Sequence, residues 1–367
     1  MTIAKTSGNQ GQNGHSPMHR QGILLDLRDW AVDTWPTTST ESLMSLAKSI
    51  FFCSALLTFV ANASATTMSW SYVGNPENAA DPLTGFGAVP YAYNIGTYDV
   101  TAGQYAEFLN AKDPSGANTL QLWNHSMAGS LFGGISFNGD NPSGSRYVVT
   151  AGRQNHPAEC VTWYDAIRFA NWMNNGQGTG DTETGAYTLG PSDAIGVPIN
   201  GNSITRNVGA KVFLPSENEW YKAAYNIPGS SSYKLYPTSS NAAPIASGPT
   251  ALANHANYHG AVESPTDVGA YTGTTSPYGA FDMAGNVWQW NELLLFGSLR
   301  GVRGSSFFGN SGDLLSSFRP VDSPSFKGDD YGFRLASVPG VPEPSTLDLA
   351  AFGFIGLIAW RWRQKRA

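Results

Sequence analysis

Three segments of the chain space their apolar residues as a helix does, and each follows a capping signature. The signature is a hydroxyl residue followed three positions later by an acid or amide: Thr101 and Gln104, Thr162 and Asp165, Ser216 and Glu219. Such pairs satisfy free N–H groups at a helix start. We therefore predict three surface helices, the first ending near Lys112 and the second at Asn174-Asn175-Gly176.

Extended segments are short and scattered between long polar loops. The candidate strands are Tyr91–Tyr98, Tyr147–Val149, Val212–Leu214, Arg300–Arg303 and Gly332–Leu335. Stretches rich in Gly, Ser, Asn and Thr, such as 174–210 and 226–252, separate them, and no repeat is apparent. The pattern predicts one irregular α+β domain, with little regular structure, over residues 66–340.

Residues 44–65 have the three-part pattern of a secretory signal peptide. An apolar stretch, Ile50–Val60, follows a single lysine and precedes the small-residue site Ala63-Ser64-Ala65. This pattern predicts cleavage after that site, and a buried core helix is the alternative interpretation. Residues 1–43 are polar and unpatterned, so we interpret them as a disordered or non-native extension upstream of a start at Met44.

A second three-part signal occupies residues 341–367. The motif Val341-Pro342-Glu343-Pro344-Ser345-Thr346 precedes an apolar run, Leu349–Trp360, and a basic end, Arg361–Arg366. This order resembles the PEP-CTERM sorting signal of Gram-negative bacteria, which implies processing by an exosortase and a place at the cell surface or in the matrix. The run is shorter than the roughly 20 residues of a spanning helix. The resemblance implies transient inner-membrane anchoring, and an ordinary anchor is the alternative.

Composition narrows the class of function. Only 13% of residues are charged, whereas Gly (41) and Pro (22) are abundant, which argues against a coiled coil or helical array. Between the two signals, 13 basic and 21 acidic residues give a net charge of -8, so we expect no nucleic-acid partner. Two cysteines, Cys53 and Cys160, are too few for a disulfide framework, and removal of the signal peptide leaves Cys160 alone.

Six blocks, in order, resemble the formylglycine-generating enzyme, or sulfatase-modifying factor, family. The blocks are Tyr98–Thr101 leading into Gln104–Asn110, Cys160–Ala166, Phe213–Trp220, Phe281–Trp290, Arg303–Ser306 and Gly332–Leu335. They extend over most of the mature chain, from about Tyr91 to Ala336. The resemblance implies the fold of that family, an irregular relative of the C-type lectin fold.

Most residues of these blocks have structural explanations. Four tryptophans each supply a large apolar body with one hydrogen-bond donor, suited to packing loops onto a thin core: Trp163, Trp220, Trp288 and Trp290. Gly285 and Gly304 suit tight turns that a side chain would block. We expect Arg334 to form a buried ion pair or to bond loop carbonyls.

The resemblance also implies which chemistry is missing. Oxidases of the family hold copper with two cysteines that follow the Arg-Gly-Gly-Ser-aromatic block, and those positions are Gly309 and Leu314 here. Neither supplies the thiolate that copper(I) prefers, and the second glycine of the block is Ser305. Cys160 belongs to another block, and we interpret it as a small buried residue. We therefore expect no copper and no formylglycine-generating activity.

Histidines offer no evident replacement near those positions. Sulfoxide synthases of the superfamily bind iron through histidines of an additional helical domain, and the residues from 66 to 90 contain no histidine. His255 and His259 lie four residues apart, with Glu263 beyond, which keeps a transition-metal site as an alternative in a segment of loop-like composition. His125 and His156 have no evident ligand partners.

Calcium is the ion that the resemblance implies. One family site is formed by the Asp-Met-Ala-Gly-Asn-Val-Trp-Glu-Trp block, which maps onto Asp282, Gly285, Val287 and Gln289. Gln in place of Glu removes one negative charge, so we expect weaker coordination through the amide oxygen. A second family site maps onto Asn257 and the Tyr258 carbonyl. We predict structural calcium at these residues.

Two functions are consistent with the sequence. The first is an exported binding or structural module whose loops 115–145, 174–210 and 226–252 suit exopolysaccharide or another surface glycan. The alternative is an oxidoreductase-like enzyme of the superfamily that does not use the cysteine pair. A pocket with perturbed titratable groups would favour the enzyme, and a shallow aromatic groove would favour the module.

Overall fold

The computed structural model describes residues 65–129 and 132–340. The predictions for residues 1–64 and 341–367, which include Cys53 and nearly all of both signals, lie outside the described residues. The helices of the described part are α1 (Ala102–Lys112), α2 (Ser126–Gly129), α3 (Trp163–Asn174) and α4 (Glu217–Tyr225). Within these ranges, no helix has the length and apolar character needed to cross a membrane.

The three predicted helices begin where their capping signatures indicate. In α1, α3 and α4 the N-cap hydroxyl accepts a hydrogen bond from the backbone N–H three residues on, and that residue's side chain accepts one from the N-cap N–H. The first two end at Lys112 and Asn174, as predicted. The short α2 is an addition, since a single turn is too brief to show helical spacing.

The described strands form two four-stranded sheets and two two-stranded ones. Their bounds are β1 Trp70–Val73, β2 Tyr93–Gly96, β3 Ile135–Phe137, β4 Tyr147–Val149, β5 Val212–Phe213, β6 Ile245–Ala246, β7 His255–Ala256, β8 Trp288–Leu295, β9 Leu299–Arg303, β10 Val321–Asp322, β11 Tyr331–Gly332 and β12 Ala336–Ser337. The strands are short and the loops long, which confirms the irregular α+β prediction.

The first sheet joins distant parts of the chain in the order β1-β2-β12-β5. All of its pairs are antiparallel, and Ala336 on β12 lies between Ile95 on β2 and Phe213 on β5. The predicted strand Gly332–Leu335 is wrong in its bounds. That segment crosses between the two sheets, because Gly332 belongs to β11 in one sheet, and β12 in the other sheet begins at Ala336, just after Leu335.

The second sheet has the order β10-β9-β8-β11 and carries the loops of the candidate site. Strands β8 and β9 form an antiparallel hairpin with an irregular register between Trp290 and Leu294. Strand β11 runs parallel to β8, with Tyr331 opposite Trp288. The strand character of β8 is absent from the sequence prediction, because Trp288–Leu295 mixes polar and apolar residues without strict alternation.

Helices α1 and α3 cover an aromatic core. Tyr105 and Phe108 of α1 contact Phe169 of α3, with ring centroids 6.1 and 5.3 Å away, and Phe333 packs against Phe169 at 5.4 Å. Eleven of the twelve residues of α3 are buried. Trp163, Trp220 and Trp290 are fully buried and each donates its indole N–H, so their predicted structural role is confirmed. Trp288 is only partly buried.

Candidate functional site

The candidate site is the loop that follows β9, which we call the 303–314 loop. Arg303 anchors its start, because the buried guanidinium donates to the Ser316 carbonyl at 3.0 Å and to Glu217 at 2.8 Å. The backbone then turns through left-handed conformations at Gly304 (φ 95°) and Ser305 (φ 64°). The loop closes in a 3-10 turn at Ser311–Leu314.

Residue 309 has no room for a side chain. A β-carbon built on Gly309 would come closer than 3.0 Å to the Ser305 hydroxyl oxygen, an approach that real β-carbons essentially never show. Ser305 is fully buried, and its hydroxyl has no hydrogen-bond partner among the described residues. The serine hydroxyl therefore occupies the space that a cysteine side chain at position 309 would need.

Leu314, at the second cysteine position, is part of an apolar cluster. It is fully buried and packs with Ala256, Tyr258 and Ala284. Its carbonyl accepts a hydrogen bond from the Tyr225 hydroxyl at 3.2 Å. The structure thus gives both exchanged positions a packing role, one through a neighbouring hydroxyl and one through an aliphatic side chain.

The segment 255–260 lies against the 303–314 loop and brings a histidine to it. The His259 N–H donates to the Gly309 carbonyl at 2.8 Å, and the Gly260 N–H donates to the Phe307 carbonyl at 2.8 Å. The exposed His259 ring lies 3.2 Å from the Asn310 side-chain oxygen. The prediction that no histidine lies near positions 309 and 314 is therefore wrong, because about 50 residues of sequence separation conceal this contact.

Carboxylates line another side of the loop. The Ser306 hydroxyl donates to Asp330 at 2.7 Å. Glu159 lies near Asp330, because the N–H of the next residue, Cys160, donates to the Gly328 carbonyl at 3.1 Å. Glu159 is almost fully buried, and one of its oxygens has no hydrogen-bond partner among the described residues. Burial raises the pKa of Glu159 well above its usual value, and burial also raises the pKa of Asp330.

Aromatic rings form what we call the aromatic platform, which consists of Phe132, Phe307 and Phe308. Phe132 lies 4.8 Å from Phe307 and 5.6 Å from Phe308, measured between ring centroids. Phe307 is fully buried, whereas Phe308 is 52% exposed. Within the platform, Phe307 is therefore buried and Phe308 is half-exposed to solvent, beside the Ser306–Asp330 hydrogen bond.

The residues of the first predicted calcium site lie together, but the side chain of Gln289 is already engaged. Gln289 is fully buried, and its amide oxygen accepts from the Trp220 indole and from Arg334, both at 2.7 Å. Its amide nitrogen donates to the Asp282 carbonyl at 2.7 Å. Both lone pairs of the amide oxygen are used, so this arrangement does not fit the ligand role expected of Gln289.

The remaining residues of that block have backbone roles. Gly285 (φ 76°) approaches the Asn257 carbonyl so closely that a β-carbon there would clash. Val287 is fully buried. The Asp282 carboxylate accepts from the Gly269 N–H at 2.6 Å, and burial raises the pKa of Asp282 to about 6.

Arg334 forms the buried ion pair that the sequence predicts. Its guanidinium lies 2.8 Å from Asp99 and donates to the carbonyls of Gly96 and Phe281, both at 2.9 Å. Both side chains of the pair are fully buried. Burial raises the pKa of Asp99 to about 8 despite the nearby guanidinium, because Arg334 divides its donors among several acceptors.

The second predicted calcium position differs from the first. Asn257 is buried, and its side-chain oxygen has no hydrogen-bond partner among the described residues. The Asn257 amide nitrogen donates to the Ser264 carbonyl at 2.8 Å, and the Tyr258 carbonyl accepts from the Ala261 N–H at 3.2 Å. An orphaned buried oxygen is consistent with a cation ligand. Calcium binding itself stays a prediction.

The other histidines have protein neighbours rather than one another. His255 lies 2.9 Å from the Ser247 hydroxyl. His156 lies 3.6 Å from Asp267, a contact that the sequence did not predict. His125 packs against the Trp123 ring at 5.0 Å. In the described ranges, no three His, Cys, Asp or Glu side chains are placed to hold a metal ion together. Cys160 is fully buried, as predicted.

A small cavity lies beside the apolar cluster of Leu314. It is partly open to solvent, has a volume of about 10 Å³, which is room for about one water molecule, and is lined by polar groups that include His255, Tyr271, Thr274 and Asp282. Ala256 and Ala284 line the cavity and also belong to the Leu314 cluster. The raised pKa of Asp282 makes this cavity a polar site with one perturbed carboxyl group.

A partly buried charge network, which the sequence did not indicate, holds α4 to β8; Glu219 is fully buried, and the side chains of Arg206 and Glu292 are 19% and 16% exposed. Arg206 bonds two carboxylates: Glu219 of α4 at 2.6 Å and Glu292 of β8 at 2.6 Å. Burial raises the pKa of Glu292, whereas the bonds from Arg206 outweigh burial at Glu219 and hold its pKa low. Arg206 lies in the Gly-rich 174–210 loop, whose composition gives no sign of a buried partner.

The fold and the site loop define the class of domain. It is an irregular α+β domain, stapled by buried tryptophans and arginines, whose site loop lacks a thiolate pair. A family model described as sulfatase-modifying factor enzyme 1-like domain matches residues 74–338, and a PEP-CTERM protein-sorting motif matches residues 340–366. The chain belongs to the sulfatase-modifying factor enzyme 1-like family and carries a PEP-CTERM sorting motif.

Individual relatives are distant. The hercynine oxygenase of Mycolicibacterium smegmatis is 26% identical over 273 residues, 67% of this chain and 53% of the relative. The hercynine oxygenase of Mycobacterium tuberculosis is 31% identical over 142 residues, 34% of this chain and 32% of the relative. The chain thus spans about half the length, or less, of these curated relatives. Treponema denticola variable protein 1 shares 19% identity at a TM-score of 0.42, covering 76% of this chain and 98% of that structure.

Proposed function

We propose that this protein is an exported cell-surface or matrix module that binds a glycan at the 303–314 loop and does not act as a formylglycine-generating oxidase. One observation carries the proposal. The loop that holds the catalytic cysteines in family oxidases has its first cysteine position closed by Ser305 and its second filled by Leu314. The same loop presents a half-exposed aromatic ring at Phe308.

The chemistry of the loop suits a sugar. Exposed aromatic faces stack on the apolar faces of sugar rings, and Phe308 is supported from behind by Phe307 and Phe132. The carboxylate of Asp330 can accept hydrogen bonds from sugar hydroxyl groups next to the aromatic platform. Because the region between the signals carries a net charge of -8, we expect neutral or amine-bearing glycans rather than anionic ones.

A glycan array tests this proposal. The exported protein should bind a subset of neutral or amino sugars, and Phe308→Ala should weaken that binding about tenfold by removing the exposed ring. Phe296→Ala is the matched control, since Phe296 is 84% exposed but lies at the tip of the β8–β9 hairpin. Absence of binding to any glycan, or equal losses in the two variants, would contradict the proposal.

Export and processing are part of the same proposal. The PEP-CTERM motif supports sorting by an exosortase-type enzyme, and we expect a mature chain from near Thr66 to near Pro342. Intact-mass analysis of protein taken from the producing cell surface measures both ends. Recovery of a surface form that still carries Arg361–Arg366 would contradict the processing step.

We also propose that calcium binds at Asn257. The orphaned, buried side-chain oxygen of Asn257 supports it, and a bound ion would stabilise the native state by mass action. Added calcium should raise the melting temperature, Tm, of the exported protein, and Asn257→Ala should remove that rise. A Tm indifferent to calcium and to chelator would contradict calcium binding at Asn257.

An oxygenase is the second candidate function. Its support is the likeness to proteins named hercynine oxygenase and the cavity beside Leu314, which holds the perturbed Asp282 carboxyl group. Oxygen uptake measured with hercynine and ferrous iron tests it. Uptake that is lost in Asp282→Ala would favour the enzyme, whereas no uptake above buffer would favour the binding module.

A further inference from the structure

Gln289 stands at the position that the resemblance assigns to a glutamate ligand of calcium, and its hydrogen-bond partners fix which amide atom faces each of them. An indole N–H and a guanidinium N–H can only donate. The Gln289 atom that faces Trp220 and Arg334 is therefore the oxygen, and the atom that faces the Asp282 carbonyl is the NH₂ group.

From this arrangement we infer that the Gln289 amide replaces calcium as the group that holds residues 282–289 together, so that this block does not depend on a metal. The NH₂ group bonds the Asp282 carbonyl at 2.7 Å and fixes the left-handed turn at Asp282 (φ 55°). The oxygen ties the same block to α4 through Trp220.

Charge supports the replacement. Arg334 lies against the Gln289 oxygen at 2.7 Å, fully buried, and its guanidinium is a permanent cation. A calcium ion beside Gln289 would meet this like charge without the negative charge that Glu supplies at position 289 in the family. The carboxylates nearby are Asp282, which bonds the Gly269 N–H, and Asp99, which is paired with Arg334.

The inference predicts the behaviour of Gln289→Glu. One carboxylate oxygen would keep the bonds from Trp220 and Arg334, and the other would face the Asp282 carbonyl oxygen. Two facing oxygens repel each other unless a proton or a cation lies between them. This variant should therefore lose Tm in chelator at neutral pH, and should regain it either with calcium or by acidification in chelator.

Asn171→Asp is the matched control. Asn171 is fully buried, and its amide oxygen accepts from the Tyr187 N–H at 2.7 Å, while its amide nitrogen donates to the carbonyls of Thr182 at 2.7 Å and Tyr187 at 3.0 Å. The same repulsion should lower its Tm in chelator. Acid should restore this control variant, but calcium should not, because no other block residues converge there.

The test compares Tm of the full exported chain in chelator, calcium and magnesium. Any calcium-dependent rise in the Tm of the wild type should persist in Asp282→Ala, which removes the side-chain oxygens, since the ion would bind elsewhere. A wild-type rise that disappears in Asp282→Ala would overturn the inference, and this arm does not require Gln289→Glu to fold. A folded Gln289→Glu protein that responds neither to calcium nor to acid would also overturn it.

Discussion

The hydroxyl oxygen of Ser305 lies where a β-carbon on residue 309 would have to be. The two positions are therefore coupled, since glycine at 309 is the residue that leaves room for a serine at 305. Ser305 also adopts a left-handed backbone conformation (φ 64°), which glycine adopts without cost. The pair gives a physical reason why a cysteine at 309 would require the Ser305 side chain to move.

We predict strong coupling between substitutions at these two positions. Gly309→Cys should destabilise the protein by about 1–3 kcal/mol through overpacking. Ser305→Gly should be neutral or stabilising, because it removes the strained side chain, and the double variant should recover most of the loss. Urea unfolding of the four proteins gives the coupling energy. Additive effects would show that the side chain at 309 finds another space.

We predict that the protein is silent as a formylglycine-generating oxidase. Neither Gly309 nor Leu314 can supply a thiolate, and His259, which the structure does bring to the loop, is a single nitrogen ligand. The exported protein is incubated with copper, oxygen, a reductant and a cysteine-containing sulfatase peptide, and aldehyde formation is followed by mass. Turnover that disappears in Cys160→Ala would contradict this prediction.

Removal of Arg206 should be among the most damaging single changes. Arg206→Met leaves the fully buried carboxylate of Glu219 and the partly buried carboxylate of Glu292 without their shared cation, at a cost of about 3–5 kcal/mol. Lys211→Met, at an exposed site near it in sequence, should change stability by less than about 0.5 kcal/mol. Chemical denaturation of both variants decides the matter, and comparable stabilities would argue against a partly buried network.

Stability should rise with pH in a window set by Lys222. This side chain donates to the Asn75 carbonyl at 2.8 Å, and burial lowers its pKa to about 8. Above pH 8 the folded state has released this proton, while the unfolded state keeps it up to about pH 10.4. The unfolded state then binds more protons, so the free energy of unfolding increases with pH.

The matched measurement uses Lys222→Met, which removes the titrating group. The difference in unfolding free energy between wild type and this variant should grow in favour of wild type from about pH 8 to about pH 10. Parallel pH profiles for wild type and Lys222→Met would show that the lysine titrates normally in the folded protein.

Local features of the fold could be predicted from the sequence. Capping boxes act over three residues, so Thr101, Thr162 and Ser216 could be assigned as helix starts directly. The indole donors and the buried Arg334 could be anticipated because their residue types demand partners. The family blocks supplied the order of the fold, which strands mostly of two to five residues could not have supplied through periodicity.

Contacts between distant loops could not be predicted from the sequence. Nothing in the spacing of His259 and Gly309 shows that their backbones bond each other, and the same holds for Glu159 beside Asp330. The exchange at Gln289 looked like a weakened calcium ligand, because composition cannot show which way an amide points. Its orientation depends on Trp220 and Arg334, which lie on other elements.

The position of β12 determines when its sheet can form during folding. This two-residue strand is central in its sheet, yet it ends at Ser337, just before the sorting motif that starts at residue 340. Loop closure across nearly the whole domain must precede its pairing with β2, which makes this sheet slow to form. A cut only a few residues upstream of the motif would separate β2 from β5 and leave both with open edges.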